Sequence, residues 1–331
     1  MSEQVRLNEY YPDFDEYVVN RVAEVAQQQR SSSWGKMKSA LPDNKVFIAG
    51  DSAIELMDIV PNEYDETWVY HLPMGNPLAD HMQLRVATLA AARPDKRIIA
   101  IGNPSGPKQG IGKLPLSSIH TVWRDNLRPA IDPALRYLYS QHIDEATHIG
   151  FSYGAEKAAA ATRYANLYDQ SVPHGLFMEP VALKRRSMLG LLRDFNRTAA
   201  AAGIYINSAA SPAAVEANQC AAEKSHGMTG YVLGLLRLSN LAIAHALTND
   251  GFEERVDNAL ANQAHMEAHL VWGSESELAI PGLMVNLTKR LQAKFAPGRV
   301  SAMELTGQKH AMGEDVFLHT AMVLQNLTPA S

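Results

Sequence analysis

Short apolar runs alternate with longer segments of helical spacing along most of the chain. Several of these runs are apolar on both faces, which is typical of parallel strands covered by helices on each side. The runs lie at residues 45–50, 67–72, 97–102, 146–151, 174–179, 268–273 and 300–306. Helical spacing occupies 79–93, 118–140, 155–169, 282–295 and 314–327. Strands that alternate with helices predict right-handed βαβ units, and therefore an α/β fold with a mostly parallel sheet.

One long interval interrupts this alternation. Between residues 179 and 268 no strand pair is evident, and helical spacing recurs at 183–202, 213–224 and 229–248. A loop of that length is unusual inside a compact domain, so an inserted helical subdomain is favoured over an extra layer of core. The predicted organisation is an N-terminal helical extension at 1–44 with an amphipathic helix at 13–29, a core at 45–180 and 268–331, and a helical cap or lid at 181–267.

Composition excludes several broad classes of protein. The 331 residues are 46% hydrophobic with a net charge of −5, which argues against a disordered chain and offers no basic surplus for nucleic acid. Cys220 is the one cysteine, so no intramolecular disulfide is expected. The N-terminal residues lack a basic cluster followed by an apolar run, and no apolar stretch reaches membrane-spanning length. A cytoplasmic protein is expected.

The pentapeptide Gly150-Phe151-Ser152-Tyr153-Gly154 is a G-x-S-x-G sequence in a specific context. An apolar run precedes it and an alanine-rich helical segment follows it, which is the strand–turn–helix arrangement of a nucleophile elbow. In such an elbow the serine occupies a strained backbone position beside a helix N-terminus. A plain glycine and serine turn between a strand and a helix is the alternative. The context favours Ser152 as a nucleophile.

On these residues the chain resembles the α/β-hydrolase superfamily, and the resemblance covers about 45–331. It implies a nucleophile after the fifth strand, an acid usually after the seventh, a histidine after the eighth, and a lid between the sixth and seventh strands. His310, in a loop after the last apolar run, is the histidine in that order. It would act as general base toward Ser152, whereas His319 lies within the last helix and is expected either to pack or to lie at the surface. No subfamily matches closely enough to be named.

The acid that orients His310 is less constrained. The resemblance implies an acidic residue four positions before a proline in the loop after the seventh strand, and Glu277 before Pro281 has this spacing. Aspartate is commoner at that place in the family, whereas this loop offers only glutamates. Glu275 is a neighbouring candidate, and Glu179, at the end of the sixth apolar run, is a third because some members take their acid there. Glu277 is the favoured assignment.

An oxyanion hole needs two backbone N–H donors. Tyr153, the residue after the nucleophile, would supply one. The other is expected from the loop after the 67–72 run, where the family often has His-Gly-x-Gly. Here Leu72 and Pro73 replace part of that motif, and Pro73 has no N–H. Met74 is the favoured donor, with Gly75 as the alternative.

The expected function is a serine hydrolase that cleaves a carboxylic ester or related acyl bond of a small-molecule substrate through an acyl-enzyme. Alternatives on the same framework are a C–C bond hydrolase, an acyltransferase, or a non-catalytic protein that binds a ligand or partner. A dehalogenase or epoxide hydrolase is disfavoured because those carry aspartate as the nucleophile. No phosphate-binding, dinucleotide-binding or metal-ligand spacing is present, so no cofactor and no metal are expected. The 13–29 helix allows either packing on the core or a homo-oligomer.

Overall fold

The computed structural model of the chain describes residues 14–74, 78–103, 114–124, 126–208, 213, 215–217, 219–220 and 238–328. Predictions for 1–13, 229–237 and much of 213–224 lie wholly or partly outside these residues. Within the described part of the chain, no helix is long and apolar enough to cross a bilayer.

The described residues form one eight-stranded sheet with the order β1-β2-β4-β3-β5-β6-β7-β8. Strands β3 to β8 run parallel, whereas β2 runs antiparallel to both β1 and β4. This arrangement confirms the predicted mostly parallel sheet. The strands are β1 (Lys45–Ala49), β2 (Ser52–Ile59), β3 (Glu66–His71), β4 (Lys96–Ile101), β5 (Thr147–Phe151), β6 (His174–Met178), β7 (Glu267–Gly273) and β8 (Val300–Leu305).

Strand β2 is the one strand that the sequence did not predict. It follows β1 through a two-residue hairpin at Gly50 and Asp51, and Ala49 pairs with Ser52 on the two sides of the turn. Gly50 has a φ of +62°, a conformation that glycine adopts at no steric cost. Strand β2 is largely buried, because its side chains enter the apolar clusters on both faces of the sheet, with Ile54 in one and Met57 in the other. Its residues therefore do not alternate cleanly between apolar and polar. The Gly-Asp pair was the available signal of a hairpin.

Most of the described helices lie where helical spacing predicts them, but the helices Trp34–Ser39 and Phe252–Asn262 were not predicted, and one predicted segment is divided. The segment predicted as a helix at 118–140 forms two helices, and the second starts at Arg128 with Pro129 in its first turn, where a missing N–H costs nothing. The helices are α1 (Glu16–Arg30), α2 (Trp34–Ser39), α3 (Asp80–Ala92), α4 (Leu116–Trp123), α5 (Arg128–Ser140), α6 (Tyr153–Tyr164), α7 (Met188–Ser208), α8 (Leu238–Leu247), α9 (Phe252–Asn262), α10 (Pro281–Lys294) and α11 (Val316–Leu327). Short 3₁₀ segments occupy Ala165–Tyr168 and His310–Glu314.

Two apolar clusters cover the two faces of the sheet. Alternating residues of β3 show the division, since Val69 belongs to one cluster and Trp68 and Tyr70 to the other. Helices α5, α6, α9 and α10 contribute to the first cluster, and α1, α3 and α11 to the second. Helix α1 thus packs on the core, with its valines buried and the Arg21 guanidinium donating to the carbonyls of Ala91 and Ala92.

The interval predicted as a lid contains helices with different surroundings. Helix α9 packs on α6, where a buried ion pair joins Arg255 to Glu156 at 2.7 Å. Helix α7 instead lies against the 3₁₀ segment that begins at His310, and the Tyr205 hydroxyl accepts a hydrogen bond from the Lys309 amide at 3.0 Å. The end of the 181–267 range therefore contributes to the layer that covers the sheet, and its beginning contacts the loop of His310.

Candidate active site

Ser152 lies between the end of β5 and the start of α6 in a conformation unusual for a residue with a side chain. Its φ is 57° and its ψ is −127°. Two glycines make this turn feasible, because a Cβ on Gly150 would lie 2.1 Å from the Gly154 carbonyl oxygen and a Cβ on Gly154 would lie 2.1 Å from that of His71. The pentapeptide therefore has the geometry of a nucleophile elbow.

His310 contacts Ser152 from the far end of the chain. It follows β8 as the first residue of the 3₁₀ segment, and its Nε2 lies 2.9 Å from Ser152 Oγ. Both side chains are almost completely buried. The structure thus brings together the two residues that chain order selected. His319 has a different role, since its Nε2 contacts the Tyr70 hydroxyl at 3.0 Å within the core.

The carboxylate at His310 belongs to Glu179, and the sequence-based choice of Glu277 is wrong on this point. Glu179 Oε2 lies 2.7 Å from His310 Nδ1, and the Glu179 side chain is completely buried. Glu179 follows β6 directly and has a φ of +54°. Because β5 and β6 are paired neighbours, Ser152 and Glu179 follow the ends of adjacent strands.

The last residue of β7 and the loop that follows it provide hydrogen-bond donors to Glu179 instead of the acid itself. The Gly273 amide donates to Glu179 Oε1 at 2.6 Å, and the Ser276 hydroxyl donates to Oε2 at 2.5 Å. Together with the imidazole N–H, these donors replace the water that a buried carboxylate loses. The orientation of the loop toward Glu179 is the physical reason that its own glutamates do not reach His310.

Among the described contacts, neither glutamate of this loop forms a hydrogen bond or an ion pair with the imidazole. Glu275 is exposed, and its amide donates to the Gln308 carbonyl at 2.9 Å. Glu277 is partly buried, and its Oε2 has no hydrogen-bond partner in the described part of the chain. Glu277 was favoured because it lies four positions before Pro281. Pro281 is the first residue of α10, a position that suits proline, so its presence is explained without a role for Glu277.

The predicted oxyanion donors lie on the two segments that meet beside Ser152. Tyr153 is the first residue of α6, so its amide is one of the N–H groups that a helix leaves without an internal acceptor. Met74 follows the end of β3 and is partly buried, whereas Gly75 lies outside the described residues. The contact of Gly154 with the His71 carbonyl holds the start of α6 against the end of β3. The amides of Tyr153 and Met74 stay the predicted oxyanion donors.

A buried lysine that sequence reasoning missed joins these two segments. Lys157 Nζ, on α6, donates to Asn103 Oδ1 at 3.0 Å, and Asn103 Nδ2 donates to the Pro73 carbonyl at 3.2 Å. Burial lowers the pKa of Lys157 to about 7. No carboxylate pairs with this amine among the residues that the structure describes. The only sequence signal was its spacing of one helical turn from Tyr153.

Two buried histidines lie beside this lysine. His71 Nε2 and His148 Nδ1 are 3.0 Å apart, and their rings stack. Burial lowers the pKa of His148 to about 3, and burial, His148 and Lys157 together hold the pKa of His71 well below its usual value. Both rings are therefore neutral at pH 7, and they supply packing and a hydrogen bond rather than charge.

A separate ion network anchors the segment that carries His310. Glu314, at the other end of the 3₁₀ segment, contacts Arg85 at 3.2 Å and His81 at 2.9 Å. Burial raises the pKa of Glu314, but the positive charge of Arg85 and the hydrogen bond with His81 outweigh that effect and lower the pKa to about 2. The guanidinium of Arg85 also lies over the ring of Phe151, which in turn contacts His310. Helix α3 thereby fixes the turn from which His310 projects.

No protein-family model matches the chain, and no curated protein matches it. Solved structures do resemble it. The α/β hydrolase MGS-M2 from a Medee basin deep-sea metagenome library is 13% identical with a TM-score of 0.56, covering 87% of this chain and 98% of its own. A carboxylesterase of Nitrososphaera gargenis is 12% identical with a TM-score of 0.51, covering 83% and 93%. The thioesterase domain from the curacin biosynthetic pathway is 14% identical with a TM-score of 0.51, covering 85% and 98%.

These similarities identify the architecture. At such low identities they establish the α/β-hydrolase fold and no subfamily. The fold and the positions of Ser152 after β5 and His310 after β8 agree with the resemblance inferred from chain order. The acid after β6 is the departure from the order expected for most members.

Proposed function

We propose that the chain is a serine hydrolase that cleaves a carboxylic ester or a related acyl bond through an acyl-enzyme on Ser152. The observation that carries this proposal is the buried series of contacts from Ser152 Oγ through His310 to Glu179, with distances of 2.9 and 2.7 Å. Nucleophile, general base and orienting acid within hydrogen-bond distance are the groups that acyl transfer requires.

In the first step the Ser152 hydroxyl attacks the acyl carbon while His310 Nε2 accepts its proton. The Nδ1–H of His310 donates to Glu179 Oε2, which fixes the tautomer and stabilises the imidazolium that forms. His310 then protonates the leaving group, and the acyl-enzyme remains on Ser152. In the second step His310 activates a water molecule, and the acid product leaves.

The developing oxyanion would accept hydrogen bonds from the backbone amides of Tyr153 and of Met74 in the neighbouring loop. The N-terminus of α6 adds a partial positive charge at this point. Removal of one oxyanion donor from a hydrolase lowers kcat by about 100–1000-fold, so these amides are a substantial part of the proposed rate enhancement.

A fluorophosphonate probe tests the proposal directly. The folded chain is expected to become covalently labelled, and Ser152→Ala should abolish labelling because the nucleophilic oxygen is missing. Ser274→Ala is a matched control, since Ser274 lies on the β7 loop and its hydroxyl contacts the Gly307 amide rather than His310. A folded chain that remains unlabelled would overturn the proposal and favour a non-catalytic binding protein.

A panel of p-nitrophenyl esters of rising chain length then separates hydrolysis from the alternatives. Turnover that follows labelling at Ser152 supports an esterase or thioesterase type of reaction. Labelling without turnover of any ester would argue for an acyltransferase or a C–C bond hydrolase on the same residues. The acyl length with the highest kcat/KM measures the size of the acyl group that the site accepts.

A further inference from the structure

Two histidines and a glutamate cluster at the opposite end of the sheet from Ser152. His174 is the first residue of β6, Glu267 is the first residue of β7, and His269 lies two residues further along β7. Ser152 and Glu179 follow the other ends of β5 and β6. The cluster is therefore separate from the candidate active site, and the serine-hydrolase proposal does not involve it.

The pairing of the strands brings these side chains onto one face. His174 is the register partner of Glu267, and His269 is the register partner of Ser301 on β8. Register partners on parallel strands point to the same side of the sheet, as do residues two apart on one strand. All four side chains therefore project from the same face.

The distances within the cluster agree with those between ligands of one metal ion. His269 Nε2 and His174 Nδ1 are 3.3 Å apart, and Glu267 Oε2 lies 3.7 Å from His174 Nδ1 and 3.9 Å from His269 Nε2. Two nitrogens bound to a tetrahedral zinc ion at about 2.05 Å are about 3.3 Å apart. The side chain of Glu267 is half-exposed, so rotation of its carboxylate can shorten the two longer distances.

The second nitrogen of His269 already has a partner that suits a metal ligand. His269 Nδ1 lies 2.7 Å from Ser301 Oγ. Donation from Nδ1–H to this hydroxyl leaves the lone pair of Nε2 directed at the cluster, and such an outer hydrogen bond is the usual support of a ligating histidine. His174 and Glu267 are partly exposed, which gives an ion access from solvent and room for a water ligand.

We propose that His174, Glu267 and His269 form a binding site for a divalent transition-metal ion of the zinc class. The two imidazoles and one carboxylate match the ligands that zinc prefers, and a water molecule completes the coordination. In the metal-free chain the two rings share one N–H between His174 Nδ1 and His269 Nε2. Binding moves that proton to the other nitrogen of His174, so that the metal ion replaces it between the rings. The ion would join the beginnings of β6 and β7.

Zinc titration of the full chain after removal of metals by a chelator tests this assignment. One equivalent of Zn²⁺ is expected to bind and to raise the melting temperature. His174→Ala and Glu267→Gln remove ligands at partly exposed positions and should abolish that binding and the shift in melting temperature. Ser301→Ala leaves all three ligands in place and should weaken zinc binding by about 10–100-fold, because it removes the support of His269.

Two control variants distinguish this site from other histidines. His120→Ala changes an exposed histidine of α4 and should leave zinc affinity unchanged. His310→Ala removes the imidazole of the candidate active site and should also retain the zinc equivalent, even where it abolishes labelling of Ser152. The proposal is overturned if the chain binds no zinc, if His174→Ala binds zinc as tightly as the unaltered chain, or if binding disappears with His310→Ala.

Discussion

Glu179 Oε2 lies 2.7 Å from His310 Nδ1, although the two residues are 131 positions apart in the sequence. The contact joins the end of β6 to the segment after β8, and the loop after β7 supports it with the Gly273 amide and the Ser276 hydroxyl. Three successive strand ends thus contribute to the environment of a single carboxylate. This arrangement leads to a direct test of which glutamate orients the imidazole.

Glu179→Gln should lower kcat/KM for a p-nitrophenyl ester by about 1,000–10,000-fold, because an amide neither fixes the correct tautomer of His310 nor stabilises its imidazolium. Glu277→Gln is the matched control in the adjacent loop and should retain most of the activity. Steady-state kinetics on both variants, with circular dichroism to check folding, measure the difference. Loss of activity in Glu277→Gln with activity retained in Glu179→Gln would falsify the assignment.

Gly154→Ala should disrupt the elbow. The added Cβ would lie 2.1 Å from the His71 carbonyl oxygen, and the nearest atoms belong to the backbone of His71 and Leu72, which no side-chain rotation can move away. A loss of about 3 kcal/mol or more in the free energy of unfolding is expected, together with loss of probe labelling. Gly282→Ala is the control, because nothing lies within 4 Å of its Cβ in the first turn of α10. It should stabilise the chain by about 0.5–1 kcal/mol in urea denaturation.

The buried Lys157 should make stability depend on pH in the alkaline range. Burial lowers its pKa in the folded chain from 10.5 to about 7, so between these values the unfolded chain binds the extra proton. The free energy of unfolding therefore rises as the pH increases from about 7 to 10.5, by at most about 5 kcal/mol from this group. Below pH 7 both states are protonated and the contribution is constant.

Lys157→Met isolates this contribution. Urea denaturation at several pH values measures the free energy of unfolding of this variant. Its free energy of unfolding should exceed that of the unaltered chain by the largest amount at pH 7, and the difference should become small toward pH 10. Lys289→Met changes an exposed lysine of α10 and should follow the unaltered chain at every pH. Parallel pH profiles for Lys157→Met and the unaltered chain would contradict the prediction.

Arg255→Met should destabilise the chain by about 3–5 kcal/mol, because it leaves the completely buried carboxylate of Glu156 without its cation. Glu156 also accepts hydrogen bonds from the amides of Val181 and Ala182. The ion pair of Arg255 and Glu156 therefore holds the segment just after Glu179 against α6 and α9. Urea denaturation measures the change.

An exposed pair of the same chemistry provides the comparison. Arg290 contacts Glu253 at 2.6 Å, but both side chains are open to solvent. Arg290→Met should therefore cost only about 0–1 kcal/mol. Equal losses for the two arginine variants would show that burial does not determine the contribution of these ion pairs.

Local patterns in the sequence were sufficient for most of the fold. Apolar runs bounded by turn residues predicted β1 and β3 to β8, and helical spacing predicted most of the helices, because these patterns reflect which faces of an element are buried. Strand β2 was not predicted, because a strand buried on both faces lacks the alternation of apolar and polar residues that marks a half-exposed strand. The division between α4 and α5 was not predicted, because helical spacing was assigned to 118–140 as one segment, whereas Pro129 lies in the first turn of a second helix.

The candidate site was predictable where a local motif or the order of elements along the chain points to a residue. Ser152 stands within a local pentapeptide, and His310 follows from the order of elements. The choice between Glu179 and Glu277 depends on where the Gly273 amide and the Ser276 hydroxyl point, which is a property of the folded loop. The cluster of His174 and His269 is likewise invisible in sequence, because strand pairing alone brings together residues 95 positions apart.

Strands β5 and β6 carry Ser152 and Glu179 as a rigid pair. Phe151 and Met178 are register partners, the Ser152 amide donates to the Met178 carbonyl at 2.9 Å, and each of the two following residues has a positive φ. The pairing of β5 and β6 therefore sets the separation between Ser152 and Glu179. His310 instead lies on the 3₁₀ segment that follows β8. Tyr205 of α7 contacts Lys309, the residue just before it. Any displacement of α7 consequently acts on the one member of the site whose position the sheet does not determine.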